Sequence, residues 1–477
     1  MTNVSSSETA PADTKKSTWR FPRHFWAANT VELLERAAYY GVFIGLVVYL
    51  TRNYGFTDVG AGWVAAYFAA VIYLVPTFAG AWADRVGFRT ALSLAFGLLT
   101  LGYFMLGIFG TTAAEALLGG TGIKVMAVLS LAVILTGGAL VKPVISGTVA
   151  KSSDEHNRAR AFSIFYMVVN IGAFFGKTIA YPLRTELGLE YVSFYSSFMG
   201  LLGLIVVLLF YRGMDTTGEG KSYGEIVRGF KTVLRNGRFM SLILIVGGFW
   251  AIQGQVYASM PKYVLRTVGE HARPEWIANI NPFIVVLCVV PITHLVRRIR
   301  PIASIGIGLF IIPFTAISIS LSPILTRITG HEVGIAGLVF HPITVMLVFG
   351  IGLQGLAECF LSPRFLEYAS KQAPPGEEGL YMGYSHLTTF FAWLFGFVIS
   401  GYLLDAFCPE PRSLPPEVQA AHAQALQSGA ALPEAYAHAH YIWYVFAGIG
   451  VIAFLCLLIY DRVTRSIDAK RAQEQGA

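Results

Sequence analysis

Residues 25–50 read FWAANTVELLERAAYYGVFIGLVVYL, and this stretch decides the fold. It is long enough to cross roughly 30 Å of hydrocarbon as one helix. Yet it carries Glu32, Glu35 and Arg36 within a single turn. A charge at mid-span costs about 2.5–3.5 kcal/mol on insertion scales, so it normally faces a cavity or a partner and marks function. Glu32, Glu35, Arg36, Tyr39, Tyr40 and Phe43 stand at offsets that put them on one stripe of a helix. Two carboxylates and a guanidinium one turn apart can exchange partners as a proton arrives. The plainer alternative is a static ion cluster stapling this span to a neighbour.

Apolar runs of similar length recur along the whole chain. Twelve spans are expected, near 25–50, 60–83, 90–110, 123–150, 160–183, 192–212, 239–264, 276–297, 302–325, 339–369, 379–406 and 439–461. Only 13% of the 477 residues are charged, 55% are hydrophobic, and the mean hydropathy is +0.59. Soluble domains carry about 25% charged residues, so this composition leaves too little polar surface to face water on all sides. The expectation is an all-α membrane protein. The net charge of +7 does not point to nucleic acid, because the basic residues sit in short loops and form no single face. Cys288, Cys359, Cys408 and Cys456 fit neither a zinc site nor a disulfide framework. No metal or cofactor is implied.

Even parity puts both termini on one side, and the positive-inside rule makes that side cytoplasmic. With this orientation only Arg52, Lys124, Arg184, Lys262, Arg266, Arg273, Arg327 and Arg412 lie on the far side. Arg36, Lys142 and Lys177 fall within spans, and the other 24 of the 35 Lys and Arg residues lie in the tails and loops on the same side as the termini. Residues 1–24 are expected to be a disordered cytoplasmic tail without a cleavable signal. Residues 25–212 form a first six-helix bundle, 213–238 a cytoplasmic amphipathic linker, 239–462 a second bundle, and 463–477 a second tail. In the linker Ile226, Val227, Phe230, Val233 and Leu234 recur at helical spacing between Arg228, Lys231 and Arg235. Residues 415–428 of the long external loop 407–438 also have helical character. Two bundles around a midplane cavity are the layout of a transporter that exposes one site to each side in turn.

Other charged side chains inside spans are candidates for that cavity. Lys142 precedes Pro143, which weakens the local helix and suggests a hinge. A lone buried Lys would be driven neutral, so Glu32 or Glu35 is its expected partner. Asn170 and Lys177 stand one heptad apart on span five, and Lys177 suits an anionic substrate group or a carboxylate. Glu358 is the only acidic residue deep in the second half; it suits ion coupling or a substrate cation. Glu367 lies nearer the cytoplasmic end, as a gate or interfacial residue. Of the histidines in or beside spans, only His386 is a candidate for the cavity.

Residues 80–89, Gly80-Ala-Trp-Ala-Asp84-Arg85-Val-Gly-Phe-Arg89, resemble the G-x-x-x-D-R-x-G-R-R signature of the major facilitator superfamily. Asp84, Arg85 and Arg89 would then guard the cytoplasmic mouth. Further segments resemble the proton-dependent oligopeptide transporter (POT) family. Glu32-Leu-Leu-Glu35-Arg36 with Tyr39-Tyr40-Gly41 is similar to its E-x-x-E-R…YYG motif. Phe162 to Ala173 and Glu358 to Pro374 are similar to its span-five and span-ten signatures, and Lys142 and Asn281 stand where the family has a Lys and an Asn. The resemblance implies a proton-driven symporter. Glu32, Glu35, Arg36 and Lys142 would couple protons. Tyr39, Tyr40, Tyr73, Asn170, Asn281 and Glu358 would line the substrate site, with Glu358 holding a peptide amino group.

The chain departs from that family pattern in two linked ways. Phe43 stands where a second basic residue is usual, and the span-seven stretch Trp250-Ala-Ile-Gln253-Gly254-Gln255 lacks the usual carboxylate. Losing both halves of an ion pair is coherent, since losing one would strand a buried charge. The gate between spans one and seven must then rest on something else. Lys177 could replace the missing base, and Gln253, Ser385 and His386 join the candidate binding residues. The usual tryptophan of span eleven is expected to be replaced near Ser385-His386. The leading reading is proton-coupled uptake of di- and tripeptides or a related small zwitterionic or anionic solute by a monomer in the bacterial inner membrane. The second is a proton antiporter exporting drugs or metabolites. A membrane enzyme is disfavoured, because no nucleophile–base pair lies within the spans.

Overall fold

The computed structural model describes residues 20–154, 157–212, 222–335, 337–372 and 384–475. Eleven of its helices are long and apolar enough to cross a membrane, and a bent pair brings the number to twelve. Span one is Arg23–Arg52, span three Phe88–Phe109, span four Thr112–Lys151, span five Arg160–Leu187 and span six Leu189–Phe210. Span seven is Gly237–Ala258, span eight Pro274–Arg298, span nine Pro301–Ser320, span ten Pro342–Ala369, span eleven Leu387–Phe407 and span twelve Glu434–Lys470. Spans one to six pack on one another, as do spans seven to twelve. The all-α membrane architecture expected from hydropathy is the one observed.

Several spans are less regular than a hydropathy reading suggests. Span two is the bent pair, Asp58–Leu74 and Phe78–Val86, meeting at 55°. Pro76 lies in the bend; it has no N–H to continue the helical ladder. Span four bends at Gly119, whose φ of 70° is accessible to glycine at little cost. Pro143, the expected hinge, lies within the helix without a break in the backbone. Beyond Gly254, span seven resumes as Gln255–Ala258 and then Met260–Thr267. Span ten starts only at Pro342. Leu338–Phe340, whose last two residues were expected within it, pairs as a strand with Val333–Ile335 in a short antiparallel hairpin. Residues 379–383 of the expected span eleven and 213–221 of the expected linker lie outside the described residues.

The linker helix spans Tyr223–Arg235 and begins with a capping box. Ser222 accepts from the Glu225 N–H while Glu225 accepts from the Ser222 N–H. Ile226, Phe230 and Val233 pack against the bundles, whereas Val227 and Leu234 are exposed. In the long loop before the last span, Pro416–Ser428 is helical. The last helix, Tyr441–Gln475, runs for 35 residues without a break.

Glycines set the closest helix contacts. A Cβ on Gly176 would lie 2.3 Å from the Ala37 carbonyl oxygen, so span five presses directly on span one. Across the two bundles, spans two and eleven meet at Gly62 and Gly401. A Cβ on Gly62 would fall 2.8 Å from the Phe397 carbonyl oxygen.

Candidate functional site

Glu32, Glu35 and Arg36 are buried inside the first bundle, at 1%, 1% and 4% exposure. Arg36 Nε lies 3.3 Å from Glu32 and also pairs closely with Glu35. The second oxygen of Glu32, Oε2, has no hydrogen-bond partner among the described residues. The guanidinium sits over the faces of Tyr39 and Tyr40, at 5.3 and 5.9 Å from the ring centroids. Lys142 does not take the expected carboxylate partner. Arg36 occupies both glutamates, and the Lys142 ammonium lies 5.0 Å from the Tyr73 ring centroid, a cation–π contact.

Beside this cluster a cavity of about 370 Å³ opens between the bundles. From the first bundle it is lined by Tyr40, Tyr73, Asn170 and Lys177. From the second it is lined by Gln253, Asn281, Glu358, Ser385 and His386. Tyr39 is not on the lining: it turns away to stack on Phe43 at 5.0 Å and on Phe68 at 6.4 Å. Adjacent positions on a helix point about 100° apart, and here Tyr40 takes the direction that faces the cavity. The lining also includes residues the sequence reading did not single out, among them Tyr166, Trp250, Tyr257, Ser362, Thr388 and Trp393. Span eleven thus supplies a tryptophan after all, two turns beyond His386.

Glu358 accepts a hydrogen bond from Asn281 Nδ2 at 3.2 Å. Lys177, only 1% exposed, donates across the bundle interface to the Ala278 carbonyl at 3.3 Å and lies 5.6 Å from the Tyr40 ring centroid. Lys177 makes no ion pair among the described residues. Three lining atoms, Gln253 Oε1, Ser362 Oγ and Trp393 Nε1, are buried without a hydrogen-bond partner. Buried polar atoms left this way cost free energy unless a ligand or water meets them.

At the end of the bundles away from the termini, the cavity is roofed and then clamped. Phe43 packs against Trp393 at 5.4 Å, Tyr257 at 4.9 Å and Phe397 at 6.1 Å. The position that lacks a base is therefore filled by an aromatic layer joining both bundles. Beyond it, Asp58 of span two binds Lys262 at 2.6 Å and Arg266 at 2.8 and 2.9 Å, all three being buried. Arg266 also holds Glu410 at 2.5 Å and the Cys408 carbonyl at 2.6 Å, and its own carbonyl meets His422 at 2.8 Å. A second clamp joins Arg184 to Glu275 at 2.6 Å and to Glu270 at 3.2 Å, with Arg52 on Glu270 at 2.7 Å. Sequence reasoning counted Lys262, Arg266 and Arg184 as loop charges. Their partners come from the other bundle or a distant loop, which no local spacing reveals.

At the terminus-side end, Asp84 and Arg85 close the second piece of span two, and Arg89 Nη2 donates to the Leu208 carbonyl at 2.9 Å. Glu367 pairs within its own helix with Arg364 at 2.5 Å and Lys371 at 2.6 Å. Two helical bundles with buried charges meeting in a shared cavity set the context for the similarity between residues 31–330 and the sequence profile described as Major Facilitator Superfamily. This chain belongs to the Major Facilitator Superfamily. Superfamily members are transporters rather than enzymes. The protein is also similar to the dipeptide and tripeptide permease A of Citrobacter koseri, 26% identical over 50% of this chain and 46% of that protein. A similar match to the permease of the same name from Erwinia pyrifoliae is 26% identical, over 54% and 50%. The chain spans about half the length of these curated relatives. Among solved structures, a peptide transporter POT in complex with sulfate shares the fold with a TM-score of 0.70 at 20% identity, covering 95% of this chain and 96% of that one. A POT family transporter in complex with 5-aminolevulinic acid gives 0.69 at 20% identity, covering 94% and 97%.

Proposed function

We propose that this superfamily member is a proton-coupled symporter of di- or tripeptides or a related small zwitterion, working by alternating access. The observation that carries this reading is the pair of opposite charges on one cavity. Glu358 comes from the second bundle and Lys177 from the first, with orphaned polar atoms between spans seven, ten and eleven. A zwitterion needs a carboxylate for its amino group and a cation for its carboxylate. Glu358 takes the first role. Lys177 takes the second by exchanging the Ala278 carbonyl for the ligand's carboxylate, which makes a stronger, charge-assisted bond. Tyr40, Tyr73, Asn170, Gln253, Asn281, Ser385 and His386 supply the surrounding contacts. The printed names of the curated relatives, dipeptide and tripeptide permeases, support the same substrate class.

Protons are the coupling ion, and no cofactor takes part. Glu32, Glu35 and Arg36 stand directly behind Tyr40, with Lys142 nearby on Tyr73. A proton arriving on either glutamate weakens its hold on Arg36, and the guanidinium shifts toward the other carboxylate and the tyrosines. That displacement links protonation to the cavity wall. The bacterial relatives and the distribution of basic residues support a bacterial inner membrane with both termini in the cytoplasm. The clamped end then faces the periplasm. Asp84, Arg85 and Arg89 belong to the cytoplasmic gate, and the protein acts as a monomer.

The test is transport by purified protein in liposomes. Glu35→Gln is expected to abolish pH-driven accumulation of alanyl-alanine while leaving counterflow intact; unimpaired accumulation removes Glu35 from coupling. Glu358→Ala is expected to weaken peptide binding by tenfold or more, about the worth of a hydrogen bond to a charged group. Normal affinity in that variant rejects the amino-group assignment. Accumulation driven outward by the same pH gradient would favour an exporter instead.

A further inference from the structure

The cavity between the bundles does not end at its polar wall. A second cavity of about 510 Å³ lies along the seam between spans five and eight, and the two share Tyr166, Asn170 and Pro282. Near its far end the seam is stitched shut. Asn279 Nδ2 donates to Thr178 Oγ1 at 3.1 Å, and Trp276 Nε1 donates to the Thr178 carbonyl at 3.2 Å. From there the helices diverge toward the terminus side. Ile171, Phe174 and Phe175 form one wall and Phe283, Val286 and Val290 the other. All six are substantially exposed, so the groove lies open on the apolar flank of the bundles. It is a concave extension of the polar site, in the size range that holds a small ligand.

We infer that this groove binds the apolar side chain or tail of an amphipathic zwitterionic substrate whose charged head occupies the cavity between Glu358 and Lys177. This rests on the proposed function above. The carrying argument is continuity. Asn281, which holds Glu358, is followed directly by Pro282 on the shared boundary. A ligand anchored at Glu358 therefore has an apolar exit beside its head, between the bundles and toward the acyl chains. Peptides with one long aliphatic residue fit this shape; short polar peptides leave the groove to lipid.

The probes are alanyl-alanine, alanyl-2-aminooctanoate and alanyl-2-aminododecanoate. Binding to full-length protein is measured in detergent and in lipid nanodiscs, with free aqueous ligand determined directly. Burying a methylene contributes up to about fourfold in affinity (~0.8 kcal/mol). The aminooctanoate peptide is expected to bind at least about tenfold more tightly than alanyl-alanine. Ile171→Trp and Val286→Trp fill the groove from opposite walls without touching the polar cavity. They are expected to remove most of that gain while leaving alanyl-alanine binding unchanged. No dependence on chain length overturns the inference. So does a dependence that survives both tryptophan variants, which reports partition into an annular lipid layer only. Failure of all three peptides to bind instead overturns the zwitterion reading itself.

Discussion

The clamped end of the bundle interface and the cavity beneath it bury similar side chains and treat them differently. At the end away from the termini, Asp58 holds both Lys262 and Arg266, Glu410 shares Arg266, and Arg184 is gripped by Glu270 and Glu275. In the cavity, Lys177 has a backbone carbonyl, Lys142 a tyrosine face, and Glu358 an amide N–H. Buried charge is tolerated in both places, but only the first is satisfied by protein alone. A satisfied network closes a door; an incompletely satisfied one is ready for a ligand or a proton. The difference separates gate from site more cleanly than residue identity does.

Asp58→Asn should produce the largest effect. It strands the buried Lys262 and leaves Arg266 with Glu410 as its one remaining carboxylate among the described residues, and breaking such a network by removing one partner costs about 3–5 kcal/mol. A marked fall in melting temperature and loss of uptake are expected. Asp58→Asn combined with Lys262→Met should recover part of the stability. An unchanged melting temperature in the single variant would show that the clamp bears no load. Lys177→Ala should act in the opposite way. It leaves no charge without its partner, so stability should hold while affinity for alanyl-alanine drops tenfold or more. If melting falls and affinity does not, Lys177 is a staple and the contrast between clamp and cavity is lost. The smallest effect is expected outside the interface. Ser222→Ala removes the cap of the linker helix and should cost about 1 kcal/mol of local stability, read as faster amide exchange in residues 223–235 with transport unaffected.

Hydropathy alone carried most of the fold. The twelve spans were legible because each must satisfy its backbone within the membrane, and this forces long apolar runs. Their breaks were less legible. Pro76 and the Gly254-to-Pro261 stretch carry the usual breaker residues, but an apolar window averages over them. Within the site, residues costly to bury, such as Glu358 and Lys177, announced themselves. Tyr39 falls off the cavity lining because a stripe of six residues is broader than one wall. Trp393 and Phe43 were unread as partners because aromatic packing between bundles leaves no trace in local spacing. The ion clamp was missed for the same reason: Asp58 and Arg266 are separated by 208 positions in sequence and look like ordinary loop charges.

The final helix has a consequence of its own. Its 35 residues, Tyr441–Gln475, measure about 52 Å at the α-helical rise, well over the roughly 30 Å of a hydrocarbon core. Arg300 clasps it at Asp461 and Arg238 at Asp468, tying the protruding part to the starts of spans nine and seven. The second bundle thus carries a continuous helix longer than the hydrocarbon it has to cross. Rocking of that bundle by a few degrees sweeps the end of the helix through several ångströms, so a fluorophore placed there would report the motion at a distance from the cavity.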